Sequence, residues 1–331
     1  MSRTTTVLAA LGGMIASAGI ITAVTGRSRP PIEGLEGLNV PHGLPPARLI
    51  TLPDRGEVFL RDQPGPSQDS PTVVLLHGWV VSGDLNWFTS FGPLSDLARV
   101  IAPDHRGHGR GTRHSVPYRL ADVADDVAAV IRALDAGPAV LVGYSMGGPI
   151  AQLVWQRHPD VVSGMVLCAT ASQFRFGPTG GAHWHLMGIY QTVLRLLPRV
   201  WLERIVLAQM RGTAPVRLVR SIGTEVSDMV PLLPWAVGEV ERGHVEDIAE
   251  AGRQMGRFDS RGWLRGLDVP AAMVITTRDR MVPPATQLEL AALLPHSLVI
   301  EVDGDHDVTA GHPKAFTEGL VQAVQHVLDE R

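Results

Sequence analysis

Short apolar runs alternate with longer segments of mixed polarity along most of the chain. "TVVLLH" (72–77), "RVIAPD" (99–104), "AVLVGY" (139–144), "GMVLCA" (164–169), "AAMVIT" (271–276) and "SLVIEV" (297–302) are nearly unbroken hydrophobic stretches. Such runs suit strands covered on both faces of a sheet. "ARLITL" and "EVFLRD" come before them and read as an opening pair of strands. Between the runs, hydrophobic residues recur at helical spacing over 84–97, 119–134, 146–158, 284–294 and 313–328. Strands and helices in alternation predict an α/β fold, with a mostly parallel central sheet and helices on both faces.

The alternation fails in two places. Residues 172–262 hold no convincing strand but carry helical stretches such as "HWHLMGIYQTVLRLLPRVWLERIVLAQM" (183–210). They are expected to form a helical cap over one end of the sheet, inserted into a core of residues 47–171 and 263–331. Residues 1–30 include an uncharged stretch, Val7 to Val24, and the start of a Pro- and Gly-rich linker that continues over 31–46. Three readings of that stretch stay open. A single-pass anchor would place the protein at a membrane, and this is the expectation carried forward. A signal peptide with small residues at Ala16-Ser17-Ala18 would make the protein secreted. A soluble packed helix would fit a cytoplasmic protein.

Composition narrows the field. The chain has 331 residues, 45% hydrophobic and 19% charged, as a globular protein with a large core should. Its net charge of −4 gives no electrostatic footprint for nucleic acid. The single cysteine, Cys168, rules out an intrachain disulfide and a multi-cysteine zinc site. It lies in an apolar run, so a buried inert thiol is expected.

The candidate chemistry starts at "LVGYSMGGPIAQ" (141–152). An apolar run ends, Ser145 follows between glycines, and a helical pattern begins. A serine in such a strand-to-helix turn stands exposed above the sheet, near the N–H groups of the helix N-terminus. It needs a base and an acid to orient the base. Asp279 follows the "AAMVIT" run and His306 follows "SLVIEV", both at the carboxyl ends of predicted strands, where sites on parallel sheets gather. Asp303, Asp305 and Asp307 crowd His306 but are expected to be turn or solvated residues, and His312 to be structural. An oxyanion hole requires two backbone donors, expected at Met146 and at Trp79 beyond "VVLLHG". His77 is expected to be a structural hydrogen-bonding residue. "HWH" (183–185) and the His105, His108, His114 group lack the pattern of a metal site, and no phosphate loop or dinucleotide fingerprint occurs. No metal and no cofactor are expected.

With these residues assembled, the chain resembles the α/β-hydrolase superfamily. The resemblance is carried by "HGW" (77–79), "DHRGHG" (104–109), "GYSMGG" (143–148), "TRDRMVP" (277–283) and "DGDHD" (303–307), in that order over about 70% of the chain. It implies that Asp104, His105, Arg106 and His108 form a structural turn, and that 172–262 is a lid over the pocket. An esterase- or lipase-like serine enzyme is expected; the resemblance does not choose its substrate, and the apolar cap and expected anchor favour a small or medium apolar acyl substrate. Acyltransferases, lactonases, thioesterases, carbon–carbon bond hydrolases and cofactor-free haloperoxidases share the same triad. A non-catalytic binding protein on this scaffold is a further alternative. Dehalogenases and epoxide hydrolases use aspartate at the elbow, where this chain has Ser145.

Overall fold

A computed structural model describes residues 40–114, 117–176 and 232–331. Eight strands form one sheet: β1 (Ala47–Leu52), β2 (Gly56–Gln63), β3 (Thr72–Leu76), β4 (Arg99–Pro103), β5 (Ala139–Tyr144), β6 (Val162–Cys168), β7 (Ala271–Thr276) and β8 (Leu298–Val302). Their spatial order is β1-β2-β4-β3-β5-β6-β7-β8. β1 and β2 pair antiparallel and β2 pairs antiparallel with β4; every later pairing is parallel. Each strand expected from the apolar runs is present.

The buried strands send alternate side chains to opposite faces, as the pleat requires. From β3, Val74 and Leu76 join one core, while Val73 and Leu75 join the other. The helices are α1 (Gly83–Trp87), α2 (Phe91–Ser95), α3 (Leu120–Ala133), α4 (Gly147–Arg157), α5 (Leu233–Glu241), α6 (Val245–Met255), α7 (Pro284–Ala291), α8 (Val308–Gly311) and α9 (Pro313–Asp329). The first core packs Val123, Val127 and Ile131 of α3, Ile150 and Val154 of α4 and Leu290 of α7 on the sheet. The second packs Trp87, Phe91 and Leu94 against Phe316, Leu320, Val324 and Val327 of α9. The expected three-layer arrangement is therefore observed.

One expected helix is corrected. The segment 84–97 is two short helices, α1 and α2, separated at Phe88–Ser90. Pro93 explains the break. It has no N–H to donate and cannot sit mid-helix, but it is tolerated in the first turn of a helix that restarts at Phe91.

Of the expected cap, residues 177–231 lie outside the described residues. So do Val7 to Val24, Ala16-Ser17-Ala18 and "HWH". Of the segment expected to be a cap, 172–176 and 232–262 are described; the latter holds α5 and α6, and an isolated bridge joins Gln173 to Asp259. Among the described residues no helix is long and apolar enough to cross a membrane.

The sheet reverses its winding at β3. The chain goes from β3 to β4 on one side and then returns to β5 on the other. Loops leaving the carboxyl ends of two such strands open a crevice between them. The loop after β3 and the turn after β5 meet there.

Candidate active site

Ser145 follows β5 directly and has φ +52, a left-handed backbone that costs energy in any residue with a Cβ. The turn holds because its neighbours have no side chains. A Cβ on Gly143 would lie 2.4 Å from the Gly147 carbonyl oxygen, and one on Gly147 would lie 2.0 Å from that of Leu76. Gly148 has the same need against Thr170, whose hydroxyl donates to the Ser145 carbonyl at 2.7 Å. The Ser145 N–H donates to Cys168 on the adjacent strand at 3.0 Å. The sharp turn is therefore enforced by packing on both sides and aims the hydroxyl into the crevice.

The structure brings Asp279 and His306 to that hydroxyl. Ser145 Oγ lies 2.9 Å from His306 Nε2, and His306 Nδ1 lies 2.7 Å from Asp279 Oδ2. A carboxylate can only accept here, so Nδ1 carries the proton. Nε2 is then a bare lone pair facing the serine O–H. This arrangement can take the serine proton as the hydroxyl attacks an electrophile.

Asp279 is almost fully buried and its orientation is over-determined. Oδ1 accepts the N–H groups of Met281 at 2.9 Å and Val282 at 2.7 Å. Oδ2 accepts the Thr276 hydroxyl at 2.8 Å and the Gln287 amide at 3.3 Å. Gln287, on α7, also donates to Thr276 Oγ1 and to the Val282 carbonyl, both at 2.8 Å. Neither Thr276 nor Gln287 was singled out from the sequence. The available signal was a glutamine on the inner face of the helix following "DRMVPP".

The imidazole is held as closely. The Tyr144 hydroxyl donates to the His306 carbonyl at 2.5 Å. Burial, reinforced by the Asp279 charge, raises that phenol well above its ordinary range, so it remains a donor. Asp305, set aside as a rival acid, accepts the N–H of His306 at 2.8 Å and that of Arg280 at 2.9 Å, and forms an ion pair with the Arg280 side chain. It thus ties the loop carrying His306 to the loop carrying Asp279. Asp303 pairs with Arg278 at 2.6 Å. Asp307 precedes the short helix α8 without a side-chain capping bond, and burial raises its carboxyl. None of the three replaces Asp279 at the imidazole.

Of the expected oxyanion donors, Met146 adjoins the serine in the chain, and the residue before Trp79 packs against it. Met146 follows it at the start of α4 and is fully buried. Gly78, just before Trp79, packs so closely that a Cβ there would lie 3.5 Å from that of Ser145. Among the described residues, no protein acceptor takes the backbone N–H of Met146 or of Trp79.

The histidines near the loop after β3 have no path to the reaction. His77 donates from Nδ1 to the Gly78 carbonyl at 2.8 Å, and its Nε2 accepts the N–H of His105 at 2.9 Å. Burial keeps all three imidazoles neutral, holding His77 well below its ordinary range, His105 at about 3 and His108 at about 4. Asp104 accepts the N–H groups of Gly83 and Arg110, both at 2.7 Å, and burial pushes its carboxyl up to about 6. Cys168 is fully buried, and burial raises its thiol. Among the described residues no cluster of His, Cys, Asp or Glu could hold a metal ion.

Comparison with known proteins agrees with this fold. A family profile described as the alpha/beta hydrolase fold matches residues 71–193. An esterase from Exiguobacterium antarcticum superposes with a TM-score of 0.67 at 19% identity, covering 85% of this chain and 100% of the esterase. The chain has the α/β-hydrolase fold. An enol-lactonase from Burkholderia xenovorans superposes with a TM-score of 0.66 at 21% identity, over 84% of this chain and 100% of its own. A curated non-heme chloroperoxidase of Streptomyces lividans is 28% identical over 293 residues, 83% of this chain and 99% of the relative. The pimeloyl-[acyl-carrier protein] methyl ester esterase of Xanthomonas oryzae is 28% identical over 271 residues, 78% of this chain and 96% of its own. The sequence relatives thus include an esterase and a chloroperoxidase, and the likeness to the lactonase is one of fold.

Proposed function

We propose that this α/β-hydrolase cleaves carboxylic ester-type bonds through an acyl-serine intermediate at Ser145. The observation that carries this reading is the unbroken hydrogen-bond chain from Ser145 through His306 to Asp279, at 2.9 and 2.7 Å. As Ser145 Oγ bonds to the ester carbonyl carbon, its proton moves to His306 Nε2. Asp279 holds the ring in its reactive tautomer and stabilises the imidazolium. The carbonyl oxygen becomes an oxyanion, accepted by the N–H groups of Met146 and Trp79 at roughly 2.7–4 kcal/mol per donor. His306 then gives the proton to the departing alkoxide and the alcohol leaves. Water loses a proton to Nε2 and attacks the acyl carbon, and Ser145 is released with its proton restored.

The Trp-, Leu- and Met-rich sequence of the cap favours an apolar acyl group of small or medium size. Fluorophosphonate should label Ser145 in the full chain, and the label should vanish in Ser145→Ala. Undiminished labelling of that variant rules the proposal out. A series of p-nitrophenyl esters of rising acyl length then sizes the pocket.

A further inference from the structure

The loop between β3 and α1 contains a conformational anomaly. Val80 has φ +76. A β-branched residue avoids this region, because its Cβ collides with its own backbone. A loop that carries such a residue keeps its shape only while other contacts outweigh the strain.

The contacts that hold this loop come from two sources. Those of the core include His77 Nδ1 donating to the Gly78 carbonyl, Asn86 Oδ1 accepting the Gly78 N–H at 2.9 Å, and the Leu85 N–H donating to the Ser82 hydroxyl at 3.1 Å. Two more come from the segment expected to be the cap. The Trp79 indole donates to the Ile248 carbonyl on α6 at 2.7 Å, and the Ser82 hydroxyl donates to Glu239 on α5 at 2.7 Å. The core fixes Gly78 and, through the first turn of α1, the backbone end at Ser82; the cap contacts add one side-chain bond on each side of the strained Val80.

Glu239 is well placed for this. It is 1% exposed and its carboxylate has three side-chain partners, Ser82, Arg110 and Arg242. Arg110 reaches its two oxygens at 2.8 and 2.5 Å, Arg242 donates at 3.1 Å, and Ser82 supplies the remaining bond. The peptide plane involved is the one that aims the Trp79 N–H. With the indole pinned on the side chain and the Gly78 carbonyl pinned on the backbone, that N–H has little freedom to turn.

We propose that the cap sets the oxyanion hole: Ile248 on the Trp79 indole and Glu239 on the Ser82 hydroxyl hold the strained loop 78–82 in the shape that presents the Trp79 N–H. The Trp79 side chain and Glu239 are therefore positioning residues, acting through a backbone donor that neither of them replaces. This inference rests on the acyl-serine reading above.

The test compares the full-length protein with Trp79→Phe, which keeps a ring but loses the indole N–H, with Glu239→Gln, and with each of these combined with Val80→Gly. Glycine adopts positive φ without the penalty, so it removes the strain that the cap contacts oppose. The readouts are kcat and KM on a p-nitrophenyl ester, and the inhibition constant of a trifluoromethyl ketone, whose serine adduct places an oxyanion in the hole. Each single variant should lose about tenfold in kcat, as expected for one buried hydrogen bond. KM should stay within about twofold, ketone affinity should fall in parallel with kcat, and Val80→Gly should restore most of both. A fall in melting temperature with kcat and ketone affinity unchanged overturns the inference, as does a loss that Val80→Gly leaves in place. Should Glu239→Gln fail to fold, Trp79→Phe alone decides. Fluorophosphonate labelling of the unmodified protein separates the two levels. No label at Ser145 ends both readings, whereas a labelled protein with insensitive variants ends only this one.

Discussion

Replacing Gly147 with alanine tests whether the turn at Ser145 is set by packing. The added Cβ would lie 2.0 Å from the Leu76 carbonyl oxygen, 2.7 Å from its carbon and 3.1 Å from the His77 oxygen. An ordinary carbon–oxygen contact is about 3.3 Å, so a gap of roughly 1.3 Å must open. The obstructing atoms are backbone of β3, a strand paired on both sides, and cannot rotate aside. Either β3 gives way where Leu76 pairs with Gly143, or the start of α4 lifts and carries Ser145 with it. Overpacking of this kind costs about 1–3 kcal/mol. In a domain of this size that lowers the melting temperature by roughly 2–4 °C per kcal/mol. A reacting atom displaced by about 1 Å loses on the order of 100-fold in rate. Thermal unfolding followed by circular dichroism gives the first quantity, and ester turnover per fluorophosphonate-titrated site gives the second. Gly262→Ala is the control, since a Cβ there meets nothing within 4 Å. Gly147→Ala matching the unmodified protein in both measurements would refute the packing argument.

Asp279→Asn presents an amide to His306 Nδ1, favours the wrong tautomer and should lower kcat by about 10⁴-fold with little change in KM; a loss below tenfold would show that the acid is dispensable. Acid should destabilise the protein through His105 and His108. Their folded values of about 3 and 4 lie below the ordinary 6.5, so the unfolded chain binds protons first as pH falls. Stability is full above pH 6.5 and declines below it. At pH 5 the loss is about 2 kcal/mol per histidine. Asp104, raised to about 6, acts in the opposite direction between pH 6 and 4 and returns about 1 kcal/mol at pH 5. Urea midpoints at pH 7 and pH 5 measure the balance, and equal midpoints would contradict it. Protein lacking residues 1–30 should keep its turnover number on soluble esters, because every residue assigned to the site lies at 77 or beyond; loss of turnover with folding intact would assign that segment a part in the chemistry.

The sheet was legible because a parallel strand must be apolar on both faces, which writes an unbroken hydrophobic run into the chain. Ser145, Asp279 and His306 were legible for a related reason: each follows such a run, where the topology gathers functional groups. The elbow glycines were legible as well, since a glycine in a strand or helix weakens it unless something else must fit there. The single helix expected over 84–97 was not found, because apolar spacing carries no information about the N–H that Pro93 lacks.

What only the tertiary structure decided is which polar groups meet. The choice of Asp279 over its rivals beside His306 follows the local sequence. Its anchoring by Gln287 depends on α7 folding back beneath the loop. The clamp of Asp305 on Arg280 joins loops 25 residues apart. Glu239 on Ser82 and Ile248 on Trp79 span 157 and 169 residues. Hydrophobic burial is non-directional and leaves a periodic trace in the chain. A hydrogen bond needs two groups within about 3 Å at a defined angle, and no local pattern records where the distant partner will be.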